Sequence, residues 1–149
     1  MEKSEYLEKQ FGRNKLGGVR CKMKRDMELI RKILFEIEER FEPGQGLLHG
    51  LPIEGYEMKV IGDHCELLFQ AGLIKEFKPN RGGRGNMLLS FSIGNLTNKG
   101  YDYLELIRSD ETWNQTEQEV KKKNLPQTIE TYGTVAASIA GAFMRELIR

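Results

Sequence analysis

Side chains that could catalyse a reaction or hold a metal are few in this sequence, and their spacing is poor. The 149 residues contain two cysteines, Cys21 and Cys65, and two histidines, His49 and His64. The cysteines are far apart and make no CxxC pair, so no zinc pattern can be assembled. Asp63 precedes His64, but neighbours on a helix point about 100° apart, and adjacency alone makes no acid–base pair. We therefore expect no enzyme, metal or cofactor, and we interpret His64 and Cys65 as buried structural residues.

Basic residues are concentrated in one short segment, where they could bind the phosphates of a nucleic acid. The segment contains PNRGGRGN at 79–86, and its four Lys or Arg residues face one acid, Glu76. Arginine can follow phosphates or enter a minor groove, and glycine permits close approach to a duplex. The alternative is a glycine-rich turn that is merely solvated. The residues expected to contact double-stranded DNA are Lys75, Lys78, Asn80, Arg81, Arg84 and Asn86, with Lys24, Arg25 and Lys59 from outside the segment.

The rest of the composition is that of an ordinary soluble domain. Lys plus Arg (23) nearly balances Asp plus Glu (22), so no overall basic field argues for nucleic acid. The N-terminus lacks an apolar signal core, and the longest mostly apolar run, at 135–144, is far too short to span a bilayer. We expect one domain with extensions, located in the cytoplasm and not associated with a membrane.

The elements that must position the basic segment follow from hydrophobic periodicity. Apolar residues at three- and four-residue spacing after Met23 predict an amphipathic helix that Pro43 and Gly44 end. Residues 51–56 could form a short edge strand, and residues 57–71 a second helix followed by Gly72 in a left-handed conformation. That helix has an acidic exposed side, which disfavours insertion into a major groove. Its predicted exposed residues are Glu57, Lys59, Gly62, Asp63, Glu66 and Gln70.

A hairpin and further helices complete the chain. Residues 73–78 and 87–93 read as strands joined by the glycine-rich loop, and a third helix opens near Thr97 or Asn98 and includes Trp113 on its apolar side. Residues 114–125 read as a polar connector or a solvated helix. Residues 126–149 read as an amphipathic helix with Pro126 in its first turn. This order predicts an α+β fold: a winged-helix-like domain at 23–113, whose hairpin wing protrudes into water, plus a C-terminal helix.

Three segments resemble one known family in combination. MKRDMELIRKILFEIEE at 23–39, HCELLFQAGLI at 64–74 and LTNKGYDYLELIRSDETWN at 96–114 are similar to the DUF2513 family of bacterial and phage proteins, which has no established function. The resemblance implies a winged-helix-like fold and a phage or prophage origin, and brings no catalytic residues. Residues 1–22 have no counterpart in it. They read as a flexible basic arm or, alternatively, as a misassigned start upstream of Met23, since Gly17-Gly18-Val19 can be encoded by a ribosome-binding sequence.

Two functions from different classes remain open at this point. The first is a DNA-binding regulator of phage or prophage origin, in which the wing and the basic arm contact the backbone with modest sequence specificity. The second is a protein-interaction module that dimerises or docks to another protein, because winged helices serve in both ways. Small residues in AASIAGA permit close approach to the last helix, although this helix could also pack on its own domain. The stripe predicted for a dimer is Tyr132, Val135, Ile139, Phe143 and Leu147.

Overall fold

The computed structural model describes residues 24–148, which form five α-helices and one three-stranded antiparallel sheet. The predicted α+β class is confirmed, and the arrangement is compatible with a winged-helix-like fold. The elements are α1 (Met27–Arg40), β1 (Leu48–His49), α2 (Met58–Gln70), β2 (Phe77–Gly82), β3 (Met87–Ile93), α3 (Asn98–Ile107), α4 (Asp110–Lys122) and α5 (Ile129–Ile148). The strand order is β1-β3-β2. The predicted basic arm at 1–22 and the alternative start at Met23 lie outside the described residues.

Helix α1 is the centre of the core. Asp26 caps its first turn, since one carboxylate oxygen accepts a hydrogen bond from the backbone N–H of Leu29 at 3.1 Å. The apolar residues at three- and four-residue spacing are the ones buried, which confirms the predicted helix. The fully buried ones are Leu29, Ile30, Ile33, Leu34 and Ile37.

The turn between α2 and β2 is a Schellman motif. Gly72 has a φ of 77°, as the sequence predicts for a residue that must adopt the left-handed conformation. The N–H of Leu73 donates to the carbonyl of Leu68 at 2.9 Å, and the N–H of Gly72 donates to that of Phe69 at 3.0 Å. The chain therefore reverses at once after α2, and Leu73 and Ile74 enter the core.

The strand boundaries differ from the prediction. Residues 73–78 were expected as the first hairpin strand, but β2 begins at Phe77 and continues through the first half of the predicted loop to Gly82, because β3 offers pairing partners along that length. Pro79 is tolerated because β2 lies at the edge of the sheet. The strand predicted at 51–56 is wrong. That segment forms a turn in which the N–H of Tyr56 donates to Ile53, while the short strand lies upstream at β1.

A β-bulge turns the hairpin onto α2. Asn80 pairs with Ser90 and Arg81 pairs with Leu88, so Leu89 is an extra residue on β3. Leu88 consequently points inward and packs on Gly62, where a Cβ would lie 2.3 Å from the Leu88 Cδ2 atom. The prediction that Gly62 is exposed is therefore wrong, because the close approach of the hairpin buries it.

The C-terminal part of the chain adds to the same core. Thr97 caps α3, which resolves the predicted choice between Thr97 and Asn98. Trp113 lies in α4 rather than in α3, and it is buried with its ring centroid 5.2 Å from that of Tyr132 on α5. Of the two alternatives for residues 114–125, a helix is correct for most of the segment. Pro126 precedes α5 rather than lying in its first turn.

One property relevant to membranes can be stated for residues 24–148. No helix in this range combines the length and the apolar character that crossing a bilayer requires.

Candidate nucleic-acid interface

The end of the hairpin projects into solvent as a tight glycine-rich turn. We call residues 77–93 the wing and residues 83–86, between the last pair Gly82 and Met87, its tip. Gly83, Gly85 and Asn86 all have positive φ values, of 72°, 87° and 53°. No heavy atom lies within 4 Å of the position that a Cβ would take on Gly83 or Gly85. The backbone of the tip is therefore accessible to a large ligand, and it presents Arg84 to solvent.

Two of the predicted cations of the wing are bound to carboxylates. Arg81 donates to a carboxylate oxygen of Glu66 on α2 at 3.0 Å, and its side chain is only 30% exposed. The Nζ atom of Lys78 lies 3.3 Å from a carboxylate oxygen of Glu76, the residue just before β2. Arg84 has no carboxylate partner among the described residues. The positive charge that the wing offers without rearrangement is therefore smaller than the sequence suggested, and it is centred on the tip.

Helix α2 presents acids beside the wing. Asp63 and Glu66 flank Arg81, and burial raises the pKa of Asp63 although the guanidinium of Arg81 opposes the rise. Lys59 is exposed in the first turn of α2. An acidic side on this helix would repel phosphates on both sides of a major groove. The helix that reads bases in winged-helix proteins is thus poorly suited to that task here.

The other predicted DNA contacts are spread over the molecule. Asn80 and Asn86 lie on the wing, and Asn80 donates to the hydroxyl of Ser90 at 3.3 Å. Lys75 precedes β2, at the base of the hairpin, and six strand residues separate it from the tip by about 20 Å. Lys24 and Arg25 lie just before α1, where Arg25 donates to the carbonyl of Gln127 at 3.4 Å. The predicted residues from 78 to 86 therefore share one hairpin, whereas Lys24, Arg25, Lys59 and Lys75 lie outside it.

Two apolar residues of the wing escaped the sequence analysis. Met87 and Leu89 are exposed large side chains next to the tip, and Leu89 is 56% exposed. The bulge is the reason, because simple alternation along β3 would have placed Leu89 inward with Phe91 and Ile93. Exposed Met and Leu among cations are the side chains with which some proteins wedge open a base step in the minor groove.

The titratable groups of the core have structural roles. The Nε2 atom of His64 accepts the backbone N–H of Asp26 at 2.9 Å, so its Nδ1–H must donate to the carbonyl of Val60 at 2.8 Å. The ring is therefore neutral, and burial lowers its pKa. Burial has the opposite effect on the thiol of Cys65, whose pKa it raises to about 12, so this side chain is neutral as well. Within residues 24–148, no three His, Cys, Asp or Glu side chains are grouped so as to hold a metal ion.

The stripe predicted for a dimer interface divides along α5. Tyr132 is buried in its own domain, and Val135 and Ile139 are partly buried. Phe143 and Leu147 are exposed. The first half of the helix thus packs on α3 and α4, as the alternative interpretation proposed, and Tyr132 is unavailable to a partner. The second half is more exposed, and Phe143 and Leu147 line a surface cavity beside the start of α4.

Comparison with known proteins identifies relatives without a described activity. Residues 24–126 match the model of a family described as hypothetical protein (DUF2513). A protein of Haemophilus influenzae, described as an uncharacterized protein, is 30% identical over 117 residues, which are 78% of this chain and 95% of that protein. No solved structure matches the chain at a significant level. The family match and the length of the alignment together establish that this chain belongs to the DUF2513 family.

Proposed function

We propose that this protein binds duplex DNA through the wing, mainly by contacts to phosphates. The observation that carries the proposal is the tip, where Arg84 stands exposed between residues of positive φ and without a carboxylate partner in the described part of the chain. An arginine on such a turn can reach a phosphate or the floor of a narrow minor groove. Met87 and Leu89 lie beside it and can contact sugars or an opened base step.

Arg81 provides a second phosphate contact once it leaves Glu66. Its ion pair is partly exposed on both sides, with side-chain exposures of 30% and 37%. Pairs of this kind contribute about 0–1 kcal/mol, so a phosphate can replace the carboxylate at little cost. Glu66 thereby weakens binding, because its carboxylate stays close to the bound DNA phosphates and repels them.

Sequence specificity is modest in this proposal. Specificity requires side chains at base edges, and the exposed side of α2 offers two acids and Lys59 where a reading helix needs donors for guanine or adenine. The wing contacts the backbone and the minor groove, whose pattern of donors and acceptors distinguishes little more than A·T from G·C.

The test is binding to a generic duplex of about 20 base pairs, measured by fluorescence anisotropy at low and moderate salt. The binding constant K falls as the salt concentration rises, and each phosphate contact contributes about 0.9 to the steepness of log K against log salt concentration. One contact therefore corresponds to about a 3.5-fold loss of affinity between 50 and 200 mM salt. Arg84→Ala should reduce the slope by about 0.9, and Arg81→Ala/Arg84→Ala by about twice that amount. Lys121→Ala/Lys122→Ala removes two exposed cations from the end of α4 and is the matched control.

A further variant tests the role of the acid on α2. Glu66→Gln removes the charge that holds Arg81, so it should bind the duplex more tightly, while the slope should stay close to that of the wild type because the number of phosphate contacts is the same. Absence of salt-dependent binding at 50 mM salt would refute the proposal. Equal losses of affinity in the Arg84→Ala variant and in the α4 control would also refute it, because binding would then depend on the net charge of the protein and not on contacts made by the wing.

The setting of this activity is also a proposal. We place it in the cytoplasm and, from what the sequence resemblance implies, propose a regulator of phage or prophage origin. Crosslinking in cells that express the protein, followed by recovery of bound DNA, tests the setting. Recovery of no more DNA than from the Arg81→Ala/Arg84→Ala variant would contradict it.

A further inference from the structure

The described chain contains a surface groove at one end of α5 and an exposed apolar surface at the other. The groove has a volume of about 920 Å³ and lies between α5, the end of α2 and the start of α3. Its apolar walls include Leu67, Ala71, Tyr103 and Ala137. At the opposite end of α5, Met144 is 61% exposed and Ile148 is 81% exposed. With Phe143 and Leu147 they form a contiguous exposed apolar surface on the last two turns, and surfaces of this kind mark interaction sites when they are large.

The groove and the exposed end lie on the same side of the helix. Ala137, Gly141, Met144 and Ile148 recur at spacings of four, three and four residues, so they form one continuous stripe. This stripe differs from the one that contains Tyr132 and faces the core. It is lined by small residues where it borders the groove, and no atom lies within 4 Å of the position of a Cβ on Gly141.

We propose that a second copy of this chain occupies the groove through an antiparallel pairing of the two α5 helices. A two-fold axis midway between Ala137 and Gly141 places the apolar end of each helix in the groove of the other, so both contacts form at once. Helix α5 has 20 residues and is about 30 Å long, which is sufficient for the two ends to engage separate grooves. The small residues at the crossing allow the axes to approach to about 8 Å.

Charge supports the same orientation. If Ala137 of one copy faces Gly141 of the second copy, then Met144 faces Thr134 and Arg145 faces Gly133. Arg145 then lies within one helical turn of Glu130 of the second copy, and Glu130 lines the groove. A parallel arrangement would instead place like residues side by side. Arg25 and Lys99 also line the groove, so the charge argument for the antiparallel orientation is specific to the pair of Arg145 and Glu130.

The experiment is sedimentation equilibrium of the full chain without DNA, over a range of concentrations. We expect a reversible increase in mass toward twice the 17.2 kDa of the monomer. Ile148→Asp should weaken association at least tenfold, because it places a charge in the apolar groove. Leu89→Asp replaces another exposed apolar residue, far from α5 in the sequence, and is the matched control that should leave association unchanged.

Exchanging the charges of Glu130 and Arg145 tests whether the two α5 helices pair in the antiparallel orientation. Glu130→Arg and Arg145→Glu should each weaken association, and the double variant should restore it, because only an antiparallel pair brings these residues together. A chain that remains monomeric at the highest concentration overturns the proposal, as does a dimer that Ile148→Asp leaves intact or a double variant without rescue. Circular dichroism of each variant confirms folding. The mass is measured without DNA, so this result is independent of the DNA-binding test.

Discussion

Replacing Gly100 by alanine tests the contact between the start of α3 and the turn after α2, from which the chain enters the wing. Gly100 lies in the first turn of α3, where a Cβ would lie 2.1 Å from the carbonyl oxygen of Leu73 and 3.3 Å from the Cβ of Leu96. Because that oxygen belongs to the backbone, it cannot rotate away as a flexible side chain can. The start of α3 must therefore move by about 1 Å from the turn that follows α2.

The expected cost follows from the bonds that cross this contact. The N–H of Thr97 donates to the carbonyl of Leu73 at 3.0 Å, and its hydroxyl donates to that of Gly72 at 2.6 Å. Each bond contributes about 0.5–1.5 kcal/mol, and overpacking adds about 1–3 kcal/mol. The better helix propensity of alanine offsets about 1 kcal/mol. We therefore expect Gly100→Ala to lower the free energy of unfolding by about 3 kcal/mol and Tm by about 10 °C.

Urea denaturation followed by far-UV circular dichroism, with a parallel thermal scan, measures this change. Gly46→Ala is the control, since Gly46 has an ordinary φ and open space around its Cβ position, and its effect should stay within about 0.5 kcal/mol. If Gly100→Ala were as stable as the wild type, α3 would not approach the turn after α2 in this way. The wing would then lack the support on which the proposed function depends.

Two further predictions concern side chains that join elements. His64→Gln should lower stability by about 1–3 kcal/mol at pH 7.5, because the ring accepts from Asp26. Burial lowers the pKa of His64 from 6.5 in the folded state, so the unfolded chain binds the proton more tightly. Stability should therefore fall as pH drops below about 6.5, and the variant should lose this part of the fall in urea titrations at several pH values. Arg31→Lys should cost about 1–3 kcal/mol in the same assay. The guanidinium donates to the carbonyls of Ile107 and Arg108 at 2.9 and 2.8 Å, which one ammonium cannot reproduce, and equal stability would contradict this role.

The features that the sequence predicted well depend only on residues that are close together in the sequence. The periodicity of α1 and the glycine after α2 each follow from a few consecutive positions, and Thr97 was one of the two caps predicted. The strand limits were not predictable in this way, since they depend on which residues of β3 are available for pairing. The bulge at Leu89 is also non-local, because it is selected by the packing of Leu88 on Gly62.

In the candidate site, too, the local features could be predicted from the sequence and the tertiary contacts could not. Composition and glycine content predicted an exposed cationic tip. The contact between Arg81 and Glu66 joins a strand to a helix across a tertiary interface, and no spacing in the chain reveals it. The sequence predicted one apolar stripe on α5 and could not decide whether it faces a partner or its own domain. That choice is made by α4, whose buried Trp113 contacts Tyr132.

Helix α2 explains why the proposed contact with DNA falls to the wing. His64 holds the start of α1, Gly62 receives the hairpin, and Glu66 binds Arg81. Gly62 and Glu66 lie one turn apart on the side that faces the hairpin, and His64 lies on the opposite side, so two sides of the helix are already occupied by contacts within the domain. A winged-helix-like domain whose central helix supports its neighbours in this way can still bind a duplex, but only through the element that this helix positions. The Glu66→Gln variant is the most direct probe of this arrangement, because it changes the helix and yet should act through the wing.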